Sequence, residues 1–338
     1  MISIHTIELT MEVDKDTFDK WRDKVRYKIK YNKDTGKDYS FVEDGITIWY
    51  YKTEYKRKIK LLVNPSRVLG FDDLVTLWKP KKKNIAKLLS KLDENINSYF
   101  DFEYKLRDFK LTRIDFTKNI QLGSRDKVSA YIKVLYNIRK VKGFSPKYNK
   151  HDKWYDDDIG FDLKGNSNGI EFTAYDKEAC IKQQASETEM EFRKKEREAR
   201  LARAKGILRI EVKLTTQKAI RAYTNEEDTI RRIIELSANS GEIFLDTFNR
   251  VVPPGDFYKK DEAVRLIDER VADKKLKKKM LRLLELIPKK KSLYLAIKEM
   301  NDRNIDRALT EFCKHNISPV TISKRHNIKH LKSLYAFI

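Results

Sequence analysis

The chain has 338 residues, enough for one large domain or two to three modest ones, and its 40% apolar content can supply a real core. Charged residues make up 37%, above the usual quarter, and 73 Lys and Arg against 51 Asp and Glu leave a net charge of +22. A surplus of that size draws in polyanions, nucleic acid first and an anionic membrane surface second. No apolar run approaches the roughly 18–20 residues of a membrane-spanning helix.

In chain order, Ile2, Ile4, Ile7, Leu9, Met11 and Val13 predict a strand with one slip in its alternation. Asp14 or Asp16 is placed to cap a helix over Thr17 to Tyr27. DYSFVEDGITIWYY and YKRKIKLLVN read as two strands, the second ended by Pro65. A loop, NPSRVLGFDDL, leads to a helix over about Asn84 to Tyr99. The pattern then repeats. A strand is expected over Lys110 to Ile120 and a helix over Asp126 to Lys140. WYDDDIGFDLKG and GIEFTAYDK flank a Gly-Asn-Ser-Asn-Gly turn and predict a hairpin. A long charged helix follows from about Glu178 to Lys205, and GILRIEVKLT returns as strand.

Each half therefore reads strand–helix–strand–strand–helix, and the second adds a closing strand. The expected fold is α+β, a duplicated antiparallel sheet followed by a mostly helical C-terminal region. The corresponding domains are residues 1–103, an N-terminal α+β half, 104–216, an α+β half expected to hold the catalytic centre, and 217–338, a helical region expected to bind DNA. In the last of these Pro253, Pro254 and Pro288 punctuate helices, and KKLKKKMLRLLELIPKKK is a basic amphipathic helix. SPVTISKRHNIKHLKSLY is a candidate second helix of a helix-turn-helix, with an ordinary surface helix as the equal alternative. On that helical pattern His326 and His330 would share a face.

Several chemistries are absent from the sequence. It has no GxxxxGK[ST], no GxSxG and no HExxH. The N-terminus lacks the basic start and apolar block of a signal peptide. Cys180 and Cys313 form neither a metal motif nor a disulfide framework, which points to a reduced, cytosolic protein. No two of the five histidines are separated by a single residue, so a His-x-His metal clamp is missing.

Three segments remain. In Lys110 to Ile120, strict alternation puts Thr112, Ile114 and Phe116 on one face and Leu111, Arg113, Asp115 and Thr117 on the other. Arg209, Glu211 and Lys213 alternate with Ile210 and Val212 in the same way. Tyr175 stands where the strand FTAYDKE runs into a helix. Each has a plain reading: a cross-strand ion pair worth ~0.2–1 kcal/mol, or a core tyrosine with a wet hydroxyl. Together they supply the parts of a transesterase. Two carboxylates can hold Mg²⁺ or Mn²⁺, and a tyrosine is a nucleophile whose phosphate ester conserves the bond energy for rejoining. Lys177 is close enough in sequence to stabilise charge on the phosphorus or to ease loss of the tyrosine proton.

These residues carry a resemblance. Over roughly residues 55–225 the chain resembles the filamentous-phage gene II replication proteins, the rolling-circle initiators of inoviruses and related plasmids. The matching stretches are Asn64-Pro65-Ser66-Arg67-Val68-Leu69, Thr112-Arg113-Ile114-Asp115, Ala174-Tyr175-x-Lys177 and Leu208-Arg209-Ile210-Glu211, in that order. The resemblance implies Tyr175 as the nicking nucleophile. The Arg-Ile-Asp and Arg-x-Glu strands are similar to those of plasmid trans-acting Rep proteins and some conjugative relaxases, which implies Asp115 and Glu211 as metal ligands. Asp176 departs from the apolar residue of the phage proteins, and it or Glu178 is a further ligand candidate.

The expected function is origin nicking and rejoining through a 5′-phosphotyrosine, with Mg²⁺ or Mn²⁺ as cofactor. Arg113, Arg209 and Lys213 would support the site or bind DNA. The expected partners are single- and double-stranded origin DNA with a host helicase and polymerase, in the cytoplasm of a bacterial host and away from membranes. A conjugative relaxase shares this chemistry. A non-enzymatic DNA-binding regulator would account for the charge and leave Asp115, Tyr175 and Glu211 idle. A tyrosine recombinase would need an Arg/His set ahead of its tyrosine that does not assemble here. Tyr223 is the second choice of nucleophile.

Overall fold

The computed structural model describes the chain apart from residues 25–29, 33–36, 43–44, 72–74, 148–158 and 185–190, and the side chains apart also from 30–32, 37–42, 184 and 191–196. In chain order the elements begin β1 (Ser3–Val13), α1 (Lys15–Lys24), β2 (Lys30–Asn32), β3 (Lys37–Val42), β4 (Ile46–Lys52), β5 (Arg57–Val63), α2 (Pro65–Val68), α3 (Lys82–Tyr99) and β6 (Lys110–Gln121). They continue α4 (Arg125–Ile138), β7 (Phe144–Pro146), β8 (Gly160–Gly165), β9 (Ile170–Asp176), α5 (Lys177–Gln184), α6 (Glu191–Ala204) and β10 (Ile207–Leu214). The C-terminal third holds α7 (Gln217–Arg221), α8 (Thr229–Ala238), α9 (Ser240–Val251), β11 (Phe257–Tyr258), α10 (Lys260–Arg270), α11 (Lys274–Lys290), α12 (Leu293–Met300), α13 (Ile305–Lys314) and β12 (His330–Leu331). The α+β class expected from the sequence is the class observed. The chain forms two compact units, the first from residues 1–117, 168–170 and 213–244 and the second from the remainder.

In the first unit the strand order is β2-β3-β4-β5-β1-β6, with antiparallel pairing throughout. One face buries Ile4, Ile7 and Leu9 of β1 with Ile59 and Leu61 of β5. Phe18 of α1 meets Tyr50 edge-on with ring centroids 5.9 Å apart, and Trp21 meets Phe100 at 5.0 Å. Asp14 is the cap of α1, accepting from the Thr17 amide at 2.8 Å. The slip read in the first strand is a bulge: the β1–β6 register shifts between Ile4 and Thr6, so both Ile4 and Ile7 face the core.

A second shift between Glu8 and Leu9 leaves Thr112 of β6 without a Cα partner in β1. It overturns the strict alternation expected there. Leu111 is buried with Ile114 and Phe116, whereas the Thr112 hydroxyl reaches Glu8 Oε1 at 2.8 Å and Thr10 Oγ1 at 2.9 Å.

Other expectations need correction. DYSFVEDGITIWYY is a hairpin, β3 and β4, because Gly45 takes φ +84° and turns the chain so that Val42 faces Ile46. Residues 65–68 are a helical turn and not loop. Pro65 sits where its missing amide is not needed, and the Asn64 side chain caps the Arg67 amide. The last residues of the first expected helix, the start of WYDDDIGFDLKG and the middle of the long charged helix lie outside the described residues.

In the second unit the order is β10-β9-β8-β7, and residues 118–121 of β6 belong to the same unit. The expected hairpin is β8–β9, with Gly160 opposite Tyr175 and Lys164 opposite Glu171. Its apolar face packs Phe172 against Phe161 and Phe248, and Tyr136 of α4 lies edge-on to Phe161.

The C-terminal third is less helical than its sequence suggested. Residues 318–335 do not form the second helix of a helix-turn-helix. Pro319 and the β-branched run Val320, Thr321, Ile322 disfavour helix. The segment instead makes bridges from Ile317 to Asp256 and from Ile322 to Lys259. His326 and His330 therefore share no helical face: His330 lies in β12, stacked on Tyr258 and bonded to Asp256 Oδ2 at 2.8 Å. Pro288 does not end its helix, since α11 runs on to Lys290.

Candidate active site

Strand β9 is buried along its whole length, yet Glu171, Thr173 and Tyr175 alternate with apolar residues. On β10, Arg209 and Glu211 alternate in the same way with Leu208, Ile210 and Val212. One face of each strand is thus the ordinary core, and the other is a polar layer removed from water. Tyr175 is 5% exposed, Arg209 0% and Glu211 4%. Buried polar groups must find partners or cost heavily. Here the Tyr175 hydroxyl donates to Glu211 Oε1 at 2.8 Å, and Arg209 Nε donates to Asn119 Oδ1 at 2.8 Å.

Local sequence places these groups. Gly206 enters β10 with φ +70°, and a Cβ there would stand 2.7 Å from the Ser124 amide nitrogen, so only glycine lets the strand start so close to its neighbour. Beyond Tyr175, Asp176 turns strand into helix: its Oδ1 accepts from the Ala179 amide at 3.1 Å and caps α5. Asp176 also lies 3.6 Å from Arg125. Burial pushes its carboxyl above the ordinary aspartate value, against the pull of the Ala179 amide and Arg125. Glu178 pairs with Lys182 one turn on, at 2.6 Å. Asp176 and Glu178 thus have structural work of their own.

Burial first, and the charge of Glu211 next, push the Tyr175 phenol well above the usual tyrosine value, while Arg209 pulls it back. The resting side chain is a neutral phenol aimed at a carboxylate. Glu211 is a proton acceptor within its reach.

Lys177 opens α5 and is buried. Asp115 belongs to the first unit and is 1% exposed. Both its oxygens are held by Arg113, Oδ1 at 2.7 Å and Oδ2 at 2.6 Å, the forked geometry that suits guanidinium and carboxylate. Lys213 is half-buried in the first unit. Among the predicted residues the structure brings Tyr175 to Glu211 and Arg113 to Asp115. Sequence reasoning missed Asn119 and Arg125. Asn119 was within reach of an alternation carried two residues past Thr117, whereas Arg125 has no local signal.

Among the described residues no group of three or more His, Cys, Asp or Glu side chains is gathered for a metal ion. The donor chemistry still fits a hard divalent cation, because Mg²⁺ usually takes one or two carboxylates and completes its shell with phosphate and water.

The chain is thus a mixed α+β protein, strongly basic, with a tyrosine seated on a buried glutamate. The chain belongs to the gene II replication-associated protein family, whose N-terminal model matches residues 40–231 and so spans every residue of the site. This is the family that its motifs resembled. Among solved structures it is similar to a rolling circle replication initiator protein from Geobacillus stearothermophilus, at 12% identity over 82% of this chain and 90% of that one, with a TM-score of 0.32. A search of curated protein sequences finds no match.

Proposed function

We propose that the protein initiates rolling-circle replication by nicking one strand of an origin and later rejoining it. The observation that carries this reading is the buried Tyr175–Glu211 hydrogen bond of 2.8 Å, within the segment matched by the replication-associated family. The Tyr175 oxygen attacks the scissile phosphorus as its proton passes to Glu211. The bond to the 3′ oxygen breaks, that oxygen takes up a proton from water and leaves as a 3′-hydroxyl for a polymerase to extend, and the 5′-phosphate stays on Tyr175 as an ester. Attack by a later 3′-hydroxyl reverses the step and releases the tyrosine.

Arg209, held by Asn119, sets positive charge beside the phenol and favours its ionised form. Lys177 and Arg113 are proposed to steady phosphate or carboxylate charge. Asp115 and Glu211 are the carboxylates proposed to hold Mg²⁺ or Mn²⁺, which when bound would polarise the phosphate. Among the described residues no helix is long and apolar enough to cross a membrane, and the proposed setting is the cytoplasm of a bacterial host, with its helicase and polymerase as partners.

The test is a supercoiled plasmid bearing the cognate origin, incubated with protein and Mg²⁺ or Mn²⁺. Open circles with protein attached to a 5′ end are expected. Tyr175→Phe nicking as well as wild type overturns the assignment. Asp115→Ala is expected to lose nicking and keep salt-sensitive DNA binding.

A further inference from the structure

Helix α11 carries eight basic residues among its seventeen, and a single acidic one, Glu285. Asp273 caps its N-terminus, but no acidic residue follows in the first turn, where Lys274 and Lys275 add to the positive end of the helix dipole. Lys274, Lys278 and Arg282 follow one another at four-residue steps, about 6 Å apart along the axis, an arrangement that by itself destabilises a helix. Four of the eight find acidic partners: Lys277 with Asp268 at 3.4 Å, Lys279 with Asp302 at 2.6 Å, Arg282 with Glu285 at 3.6 Å, and Lys290 with Glu299. Lys274, Lys275, Lys278 and Lys289 are exposed and make no ion pair among the described residues. The N-terminal lysines, Arg282 and Met300, the last residue of α12, are among the residues that line an open cleft of about 810 Å³.

Two further observations say what fills it. The apolar side of α11, from Leu276 and Met280 to Leu284 and Ile287, is buried against α10, α12 and α13, so no apolar face is left to enter a lipid surface. Helices α12 and α13 are joined by residues 301–304 alone, the spacing of a helix-turn-helix. Lys279 reaches Asp302 in that turn, and Arg307 at the start of α13 reaches Asp273 at the start of α11 at 3.2 Å. The lysine cleft therefore borders the N-terminal end of the second helix, the end that such units direct into the major groove.

We infer that α11, α12 and α13 form a duplex-DNA anchor, with Lys274, Lys275 and Lys278 seated on the phosphate backbone and the start of α13 turned to the groove. The inference rests on the DNA-processing reading above and adds to it a holding site that does not include the tyrosine.

The test measures binding of the full chain to a fluorescent mixed-sequence duplex across a salt series. Replacing Lys274, Lys275 and Lys278 together by Gln should flatten the slope of log K against log salt by about 2.7, since each phosphate contact contributes about 0.9. A matched triple, Lys81, Lys82 and Lys83 to Gln, removes the same charge from the exposed start of α3 and should leave the slope near wild type. An unchanged slope in the α11 triple, or an equal loss in the α3 triple, overturns the inference. So does α11-dependent capture of phosphatidylserine vesicles in place of duplex. Because these residues are solvent-exposed and repel one another, thermal melting should equal or slightly exceed wild type, and a lowered midpoint in the triple is resolved by Lys278→Gln alone, with an expected slope change of about 0.9. Tyr175→Phe should keep the full slope. A wild-type nicking rate in that variant would defeat the nicking reading and leave the anchor standing.

Discussion

Strands β5 and β10 are written in nearly the same code, apolar residues alternating with charged ones, and they end in opposite surroundings. In β5, Ile59, Leu61 and Val63 enter the core, while Lys58 and Lys60 lie on the outer face against Glu12 at 2.8 Å and Glu8 at 3.0 Å. Lys58 keeps 37% of its side chain in water. In β10, Leu208, Ile210 and Val212 do the same packing work, yet Arg209 and Glu211 on the other face are as dry as the core. The Lys58–Glu12 pair is worth little, because water already solvates both partners. Buried groups such as those of β10 cost several kcal/mol to desolvate, repaid only through good partners. A fold that needed only a sheet would be served by the β5 arrangement twice. The buried polar face of β9 and β10 is the expensive version, and it is where the tyrosine sits.

The largest effect is expected for Tyr175→Phe. Loss of the nucleophile should lower single-turnover nicking by at least about 10⁴-fold, with duplex binding retained. Glu211→Gln keeps an oxygen for the phenol to donate to and removes the charge. Nicking should fall by about 10²-fold or more, measured by plasmid relaxation, and a wild-type rate would reduce Glu211 to a packing role.

Asp176 probes the same neighbourhood through stability. Asp176→Ala deletes the cap of α5 and should cost about 1 kcal/mol in chemical denaturation. Asp176→Asn keeps the cap without the charge. Because the folded carboxyl has a raised pKa, its contribution is fully present below the unfolded value and fades as pH rises through the folded one. The Asn variant should therefore gain on wild type as pH rises from strongly acid toward neutral, and a constant difference would contradict the raised value. The smallest effect is expected on β5, where Lys58→Ala should leave the denaturation midpoint unchanged within error. A large loss there would show that the exposed and buried faces are not the contrast drawn between them.

Much of the architecture was legible along the chain because it is written in local periodicity. The period-two runs located β1, β5, β6, β9 and β10, and even the slip in the first strand marked a true bulge. The Gly-Asn-Ser-Asn-Gly turn joined β8 to β9 as glycine chemistry demands. The order of short motifs around Asp115, Tyr175 and Glu211 was sufficient to suggest the replication-associated family. Where a second signal depended on distant partners, reading by segment failed. Nothing in TRIDFT indicates that Thr112 would be bulged out by its pairing with β1. In SPVTIS, Pro319 and the β-branched run weigh against helix, but nothing local names Asp256 and Lys259 as the residues that Ile317 and Ile322 would bridge.

The site divides along the same line. Residue types and spacing alone determined which side chains were candidates and which faces of their strands they occupied, since alternation is a property of the extended backbone. Whether a polar face is wet or dry is a property of what packs over it, which no strand encodes for itself. Packing from distant parts of the chain withdrew Arg209 and Glu211 from water, whereas Lys58 kept 37% of its side chain exposed. The same packing also brought Tyr175 within 2.8 Å of Glu211 across 36 residues of chain.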